Sequence, residues 1–381
     1  MFPHQHHRDR SPIACLMIAL LLVVPLAGAQ DATLTPVAPP PAERLSPDLD
    51  TAIARGLAYL ARQQQPDGSF QNRDKAGGGG GGGGDNNAPP RFGGPKVALT
   101  GLSLMAYLAT GRMPDTGKHG QTVRDAIDYL VKACPQDGYF GKVDGSRMYG
   151  HAIATLALAE VYGMEADAAQ RAKVRGALAR AVKVLLQAQN ARKDEPYRGG
   201  WRYEIASADS DLSVSGWCIL ALRAAQNAGM EVPKSSADAA AAFVLKCWRP
   251  DAKGFAYQPG GEATLTMTAA ALLDLQLLDP AASRDEVAMA GKFLDAHPVP
   301  DNAEYPYYTR YYATQAAFQL GGNLWPKVWE QTQSKLLASR DKESGAWPQS
   351  RTSNEPGQTY ATAMSVLTLS VPLRLLPTYQ R

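Results

Sequence analysis

Cysteine is scarce in this chain: four in 381 residues, too few for a disulfide scaffold. No Cys-x-x-Cys or paired Cys/His spacing occurs, so neither a cysteine-based zinc site nor any other metal or cofactor is expected. An excess of one charge sign is also missing. Thirty-nine Lys and Arg stand against thirty-six Asp and Glu, a formal net charge of +3. These charges are scattered, not gathered into a stripe, which argues against nucleic acid or an anionic membrane surface as partner. From Leu49 onward there is no sustained two-residue alternation of apolar and polar residues, so a half-buried sheet does not organise the chain. The glycine tract at 77–84 lacks the strand before it and the Lys-Ser/Thr after it that a phosphate-cradling loop requires. It reads as a flexible surface insertion, spanning about residues 74–90.

What the chain does have begins with an N-terminal address. Arg8 and Arg10 precede an apolar run at 13–26, broken only by Pro25, and Ala27-Gly28-Ala29 follows. The run matches the 7–15 residues of a secretory core and is short of the ~20 needed to span a bilayer. Residues 1–29 are therefore expected to be a signal peptide cleaved after Ala29, with an uncleaved anchor as the alternative. Cys15 lies inside the apolar run, which speaks against a lipoprotein, and His4, His6 and His7 belong to the removed segment. The expected location is secreted or periplasmic, with no transmembrane span after cleavage. Residues 30–47, rich in Pro, Ala and Thr, read as a flexible leader. In the oxidising space Cys134, Cys218 and Cys247 form at most one pair; buried apolar cysteines are the alternative.

Two kinds of helix alternate through residues 48–377. Leu49, Ile53, Leu57 and Leu60 share one face, as do Val123, Ile127, Leu130 and Val131, and Leu178, Val182, Leu185 and Leu186, each opposite a charged face. The segments at 151–159 and 265–273 have almost no charged face, so they must be covered on every side. Between each one-sided helix and its apolar successor stands a turn ending in glycine and an aromatic: Gly68-Ser69-Phe70, Gly138-Tyr139-Phe140, Gly200-Trp201, Gly254-Phe255 and Gly345-Ala346-Trp347. The fifth unit substitutes Tyr305-Pro306-Tyr307. Thr100, His151, Ser215, Thr268, Thr314 and Thr362 mark the starts of the apolar helices, a loose period of about 50 residues. Six hairpins of this kind predict an all-α fold, an α6/α6 toroid with the one-sided helices outside and the apolar ones inside. The rival, an open solenoid, calls for polar capping repeats. The last apolar helix, expected at 360–376, shows no such cap.

Gln64-Gln65-Pro66-Asp67-Gly68-Ser69-Phe70, and Gln189 with Gly199-Gly200-Trp201, resemble the repeat of the prenyltransferase/squalene-cyclase superfamily, here as a secreted bacterial-type member. The resemblance covers nearly all of the chain after the leader. It implies a terpenoid-cyclase-type α/α toroid and says less about activity, because a shared fold does not carry its function along. No cysteine has Asp two positions before it, unlike the zinc-binding prenyltransferases, and the Cys-Gly-Glu-Gln run of thioester relatives is absent. In the squalene-cyclase branch an Asp-x-Asp-Asp motif protonates an alkene. Asp209-Ser210-Asp211-Leu212 stands in the matching place, with Asp211 at the donor position and one carboxylate missing. Asp and Ser before an apolar helix are equally the residues of an N-cap.

Loops from outer to inner helices are expected to converge on one mouth. The candidate ligand-binding residues there are Tyr149, Trp201, Arg202, Tyr203, Tyr308, Arg310, Tyr311 and Tyr360. His151, at the start of an inner helix, reads as a base, or as a satisfied core histidine. The tyrosine-rich run at 305–312 suits a carbocation, a sugar ring or a protein partner, or plain packing. Three functions remain: a squalene-cyclase-like toroid holding a hydrophobic or isoprenoid ligand in a central cavity; a non-catalytic binding or scaffolding module; and a polysaccharide-active toroid. A deep apolar cavity favours the first, a side-chain-filled centre the second, and an open groove of Arg and Tyr the third.

Overall fold

The computed structural model describes residues 43–72, 95–279, 285–349 and 353–380. The expected signal peptide, most of the leader and the glycine tract lie outside the described residues. Twelve α-helices are described: α1 (Pro47–Gln63), α2 (Lys96–Ala109), α3 (Gly120–Ala133), α4 (Arg147–Tyr162), α5 (Ala168–Gln189), α6 (Leu212–Asn227), α7 (Lys234–Lys246), α8 (Leu265–Leu278), α9 (Asp285–Ala296), α10 (Pro306–Leu320), α11 (Leu324–Ser339) and α12 (Gln358–Leu369). One two-residue antiparallel pair, β1 (Trp248–Arg249) with β2 (Gly254–Phe255), forms the fourth Gly-aromatic turn.

The even-numbered helices make the inner ring. Each packs on the next, and α12 packs back on α2, closing the circle. The odd-numbered helices lie outside, with α1 seated against α12. This is the α6/α6 toroid, and the alternation of one-sided and apolar helices is its cause.

The turns show how the repeat is fastened. The N–H of Phe70 donates to Thr100 Oγ1 (2.9 Å), Trp201 N–H to Ser215 Oγ (2.9 Å), Phe255 N–H to Thr268 Oγ1 (2.9 Å) and Trp347 N–H to Thr362 Oγ1 (3.1 Å). Four of the five hydroxyls that mark inner helices thus satisfy the buried N–H of their turn's aromatic, while Thr314 pairs with Thr332 Oγ1 of α11 instead. The glutamines tie each turn to the next outer helix. Gln64 Nε2 donates to Gly68 O and to Thr122 O, and Gln189 Nε2 to Gly199 O and Ser236 O.

Beside α6, α8 and α10 the interior of the toroid is filled by aromatic side chains. Trp217 of α6 stacks on Tyr311 of α10 with centroids 6.2 Å apart, although α8 stands between these helices in the ring. Tyr308 and Tyr312 meet the same indole edge-on, and all four side chains are buried.

The end where the inner helices finish is shut by the C-terminus. The final helix stops at Leu369, not at 376, because Pro372 lacks an N–H and its ring would meet the carbonyl of residue 368. A short 3-10 turn, Pro377–Tyr379, then packs into the ring. Thr378 N–H donates to Glu160 Oε1 (3.2 Å), Gln319 Nε2 to Tyr379 O (2.9 Å) and Asn227 Nδ2 to Pro377 O (3.1 Å), so the last turns of α4, α10 and α6 all grip it. Thr378 and Tyr379, past the expected boundary at 377, are buried. Cys134, Cys218 and Cys247 are free and buried.

Candidate functional site

At the opposite end, where the outer helices hand over to the inner ones, the loop after Trp201 builds a charged and aromatic cluster. Trp201 and Asp211 form an antiparallel bridge, with Asp211 N–H donating to Trp201 O at 2.9 Å. The bridge pinches off the residues between them as a loop, which turns Arg202 back over its own base. Arg202 Nη1 donates to Asp211 Oδ2 (2.8 Å) and to Tyr257 OH (2.6 Å), and its Nε lies 3.1 Å from Asp209 Oδ2. The guanidinium sits 4.3 Å from the centroid of the Tyr203 ring and 5.4 Å from that of Tyr257, whose hydroxyls are 2.8 Å apart. Gln258 Nε2 donates to Asp209 Oδ2 at 3.1 Å. One step deeper, Tyr149 OH pairs with Ser213 Oγ (2.7 Å) and Ser213 Oγ with Tyr308 OH (3.1 Å), linking α4, α6 and α10.

Asp211 is the N-cap of α6: its Oδ1 accepts the N–H of Val214 at 2.8 Å, while Oδ2 accepts from Arg202. Burial raises its affinity for a proton, and the Arg202 and Val214 donors pull the other way. Both oxygens are thus engaged as acceptors, leaving neither turned to a ligand. Burial opposes the charge on Arg202, but the hydrogen bond and charge of Asp211 outweigh it, so the guanidinium holds its proton more tightly than usual. The cluster is a fixed ion-pair triad of Arg202 with Asp209 and Asp211, roofed by partly exposed tyrosines.

Of the sequence candidates, Tyr149, Arg202, Tyr203, Tyr308, Asp209 and Asp211 come together here. Four do not, and Tyr360 borders the cluster. Trp201 is fully buried between the rings, its Nε1 donating to Leu185 O at 2.8 Å. Tyr311 is buried in the ring's interior, hydrogen-bonded to the Tyr379 hydroxyl. Tyr360, in the first turn of α12, is buried at this same end within electrostatic reach of Tyr308. Arg310 faces α11 and the loop after α9, not the mouth, because two residues along a helix turn the side chain by about 200° from Tyr308. His151 is buried between Phe140 N–H (3.4 Å) and Ala181 O (3.1 Å), and burial lowers it to about 3; it is a core histidine, not an available base. Sequence reasoning missed Tyr257 and Gln258. The signal was an offset: Tyr257 follows Phe255 by two residues, as Tyr203 follows Trp201.

No family model matches the chain, and no curated protein matches it. Among solved structures, the GH76A α-1,6-mannanase of Salegentibacter sp. superposes with a TM-score of 0.60 at 10% identity, over 86% of this chain and 99% of that one. An inactive variant of that mannanase, with two consecutive aspartates replaced, is known in complex with α-1,6-mannotriose (TM-score 0.59). The type II terpene cyclase MstE from Scytonema superposes with a TM-score of 0.53 at 14% identity, over 87% of this chain and 98% of that one. At these identities the likeness is one of fold: both neighbours are α/α toroids.

Proposed function

We propose that the protein is an extracytoplasmic binding module that holds its ligand on the Arg202 rim, and that this ligand is a saccharide chain. The observation that carries the reading is the contrast between the two depths of the ring. The interior is occupied by Trp217, Tyr308, Tyr311 and Tyr312, whereas Tyr203 and Tyr257 are partly open at the surface and Tyr305 nearby is 41% exposed. Tyrosine faces beside fixed charges suit sugar rings, which present apolar C–H patches and hydroxyls together. A flexible isoprenoid needs a deep apolar cavity instead.

The neighbours support a saccharide more than a saccharide-cleaving reaction. This chain contains no two consecutive aspartates, and the Asp209–Asp211 pair is engaged with Arg202 and with the start of α6. Export rests on the expected signal peptide at 1–29. The test is a saturation-transfer NMR screen of the mature chain against α-1,6-mannotriose, other bacterial surface glycans and a geranylgeranyl lipid. Saccharide binding that is lost in both Tyr203→Ala and Tyr257→Ala, with no release of reducing ends, supports the reading. Binding of the lipid alone overturns it.

A further inference from the structure

A second cleft lies on the flank of the double ring, away from the Arg202 rim. It opens between α10, α11 and the end of α9 with its following loop, and has a volume of ≈ 220 Å³. Arg310 lines it from α10. Its side chain is only 8% exposed, and its nearest opposite charge is Asp301 Oδ1 at 3.6 Å, beyond hydrogen-bonding distance. A guanidinium carries five N–H donors. Among the described residues none of the five makes a hydrogen bond within the chain; the side chain is nine-tenths buried, and its nitrogens open onto the cleft rather than being sealed inside the protein.

The surroundings say what is missing. Asp301 is an exposed loop residue, and Lys335 already holds the same oxygen at 2.5 Å. Asp295 is likewise taken, by Lys327 at 2.6 Å. Asp301 and Asp295 thus each have their own lysine, and Arg310 is left with the longer approach to Asp301 and the charge of buried Glu355 outside the cleft. Leu294, Pro298, Val299, Ala313 and Val328 form the apolar part of the wall, beside His297, Gln331 and Thr332. Burial makes it harder for Arg310 to hold its proton, and the charge of Asp301 restores only part of that. A guanidinium held at the floor of a cleft, with its donors free of the protein, favours an anion that can enter and take them.

We propose that this cleft binds a small organic carboxylate, gripped by Arg310 through two parallel N–H···O bonds, with the ligand's apolar portion against Leu294, Val299 and Val328. A planar carboxylate matches the guanidinium fork in shape as well as charge. The volume is below the ~300–1,000 Å³ of pockets for drug-sized molecules, which sets the occupant's size. Asp301 is the ligand's competitor: exposed, paired with Lys335, and too distant to hydrogen-bond Arg310 itself. This site is independent of the rim and of the saccharide reading.

The experiment uses the mature chain with benzoate and hexanoate as probes, their uncharged amides as controls, and inorganic phosphate as a bare anion. Affinities come from ligand-observed NMR titration. The carboxylates are expected to bind at least about tenfold more tightly than the amides, a difference of the size that a charge-assisted pair provides. Arg310→Met abolishes that preference, and Lys335→Gln, which releases Asp301 to compete for Arg310, weakens it several-fold. Asp301→Asn removes the competitor and tightens binding several-fold, a gain that a misfolded variant does not mimic. Equal binding of acids and amides overturns the proposal. So does phosphate binding as tight as that of benzoate, or an unchanged benzoate affinity in Asp301→Asn.

Discussion

The backbone N–H of Phe140 donates to Nδ1 of His151 at 3.4 Å, in the place where four other units of the ring use a Thr or Ser hydroxyl. The other ring nitrogen, Nε2, lies 3.1 Å from Ala181 O, which assigns it the proton. His151 is thus a neutral fastener between a turn and the two rings, and burial lowers it to about 3 from an ordinary 6.5.

His151→Thr is expected to fold, since threonine supplies the acceptor found in the other units. His151→Ala leaves Phe140 N–H unpaired inside the wall and costs about 1–3 kcal/mol. The pH dependence follows from the depressed value. Stability from the neutral ring is fully present above about 6.5 and drains away as pH falls toward about 3. Urea midpoints at pH 7 and pH 4 measure both effects. If His151→Thr loses as much stability with acid as the unaltered chain, the histidine is not the acid-sensitive fastener.

Glu160 has the opposite sign. It is buried on α4, Oε1 accepts Thr378 N–H and Oε2 has no partner. Burial pushes it up to about 7 from 4.5, so the folded chain keeps a proton that the unfolded chain gives up. That contribution is whole below about 4.5 and disappears as pH rises through about 7, on the order of 3 kcal/mol for such a shift. Glu355, also about 7, slopes the same way, so the comparison has to be with a single variant. Glu160→Gln keeps an acceptor for Thr378 and removes the titration. Relative to it, the unaltered protein should weaken between pH 5 and pH 8; parallel stability curves would refute this assignment.

The double ring was legible because burial acts on charge periodicity, and the sequence shows that periodicity directly. Leu49, Ile53 and Leu57 declare a one-sided helix; residues 265–273 declare a helix covered all round. The same signal is blind to what does the covering. A helix lining a cavity and a helix packed against Trp217 and Tyr311 look alike, so the filled centre was hidden. Pointing directions were also hidden. Tyr308 and Arg310 are two residues apart and face opposite sides of α10, one toward the ring's interior and one toward the flank. Of the acid pair, the capping role of Asp211 was visible from its position before an apolar helix. Its bond to Arg202 was not, because that depends on how the loop folds back.

Asp274 tests how dry the interior is. It lies on α8, fully buried, with both carboxylate oxygens lacking a hydrogen-bond partner, and the Tyr312 hydroxyl is unpaired as well. Burial raises its proton affinity far above the usual carboxylate range. Asp274→Leu, similar in shape, should therefore raise stability by about 1–3 kcal/mol by removing an unsatisfied polar group. A thermal melt settles the direction. A loss of comparable size instead means that Asp274 has a partner in solution and the interior is not dry.

Closure of the ring rests on Gly345 in a way that a matched control can isolate. Gly345 has a φ of +81°, and a Cβ built there would lie 2.7 Å from Arg55 O of α1, the first outer helix. Arg62 Nη2 donates to Ser344 O at 2.7 Å and Arg55 Nη2 to Glu343 O at 2.9 Å, so the sixth turn is sewn onto the first hairpin. The same close approach recurs at Gly68, Gly138 and Gly199 against α3, α5 and α7, which marks Gly345 as the link that joins the end of the chain to its beginning. Gly229 shares the backbone strain, with φ +75°, but a Cβ there meets nothing within 4 Å. Gly229→Ala should thus cost about 1 kcal/mol for the left-handed backbone alone. Gly345→Ala adds the collision with α1 and should cost about 2–4 kcal/mol. Its hydrogen exchange should quicken first in α1 and α12 and leave α5 and α6 protected. Equal costs for the two variants would mean that Gly345 serves its turn only and that the joint between α12 and α2 holds the ring shut without it.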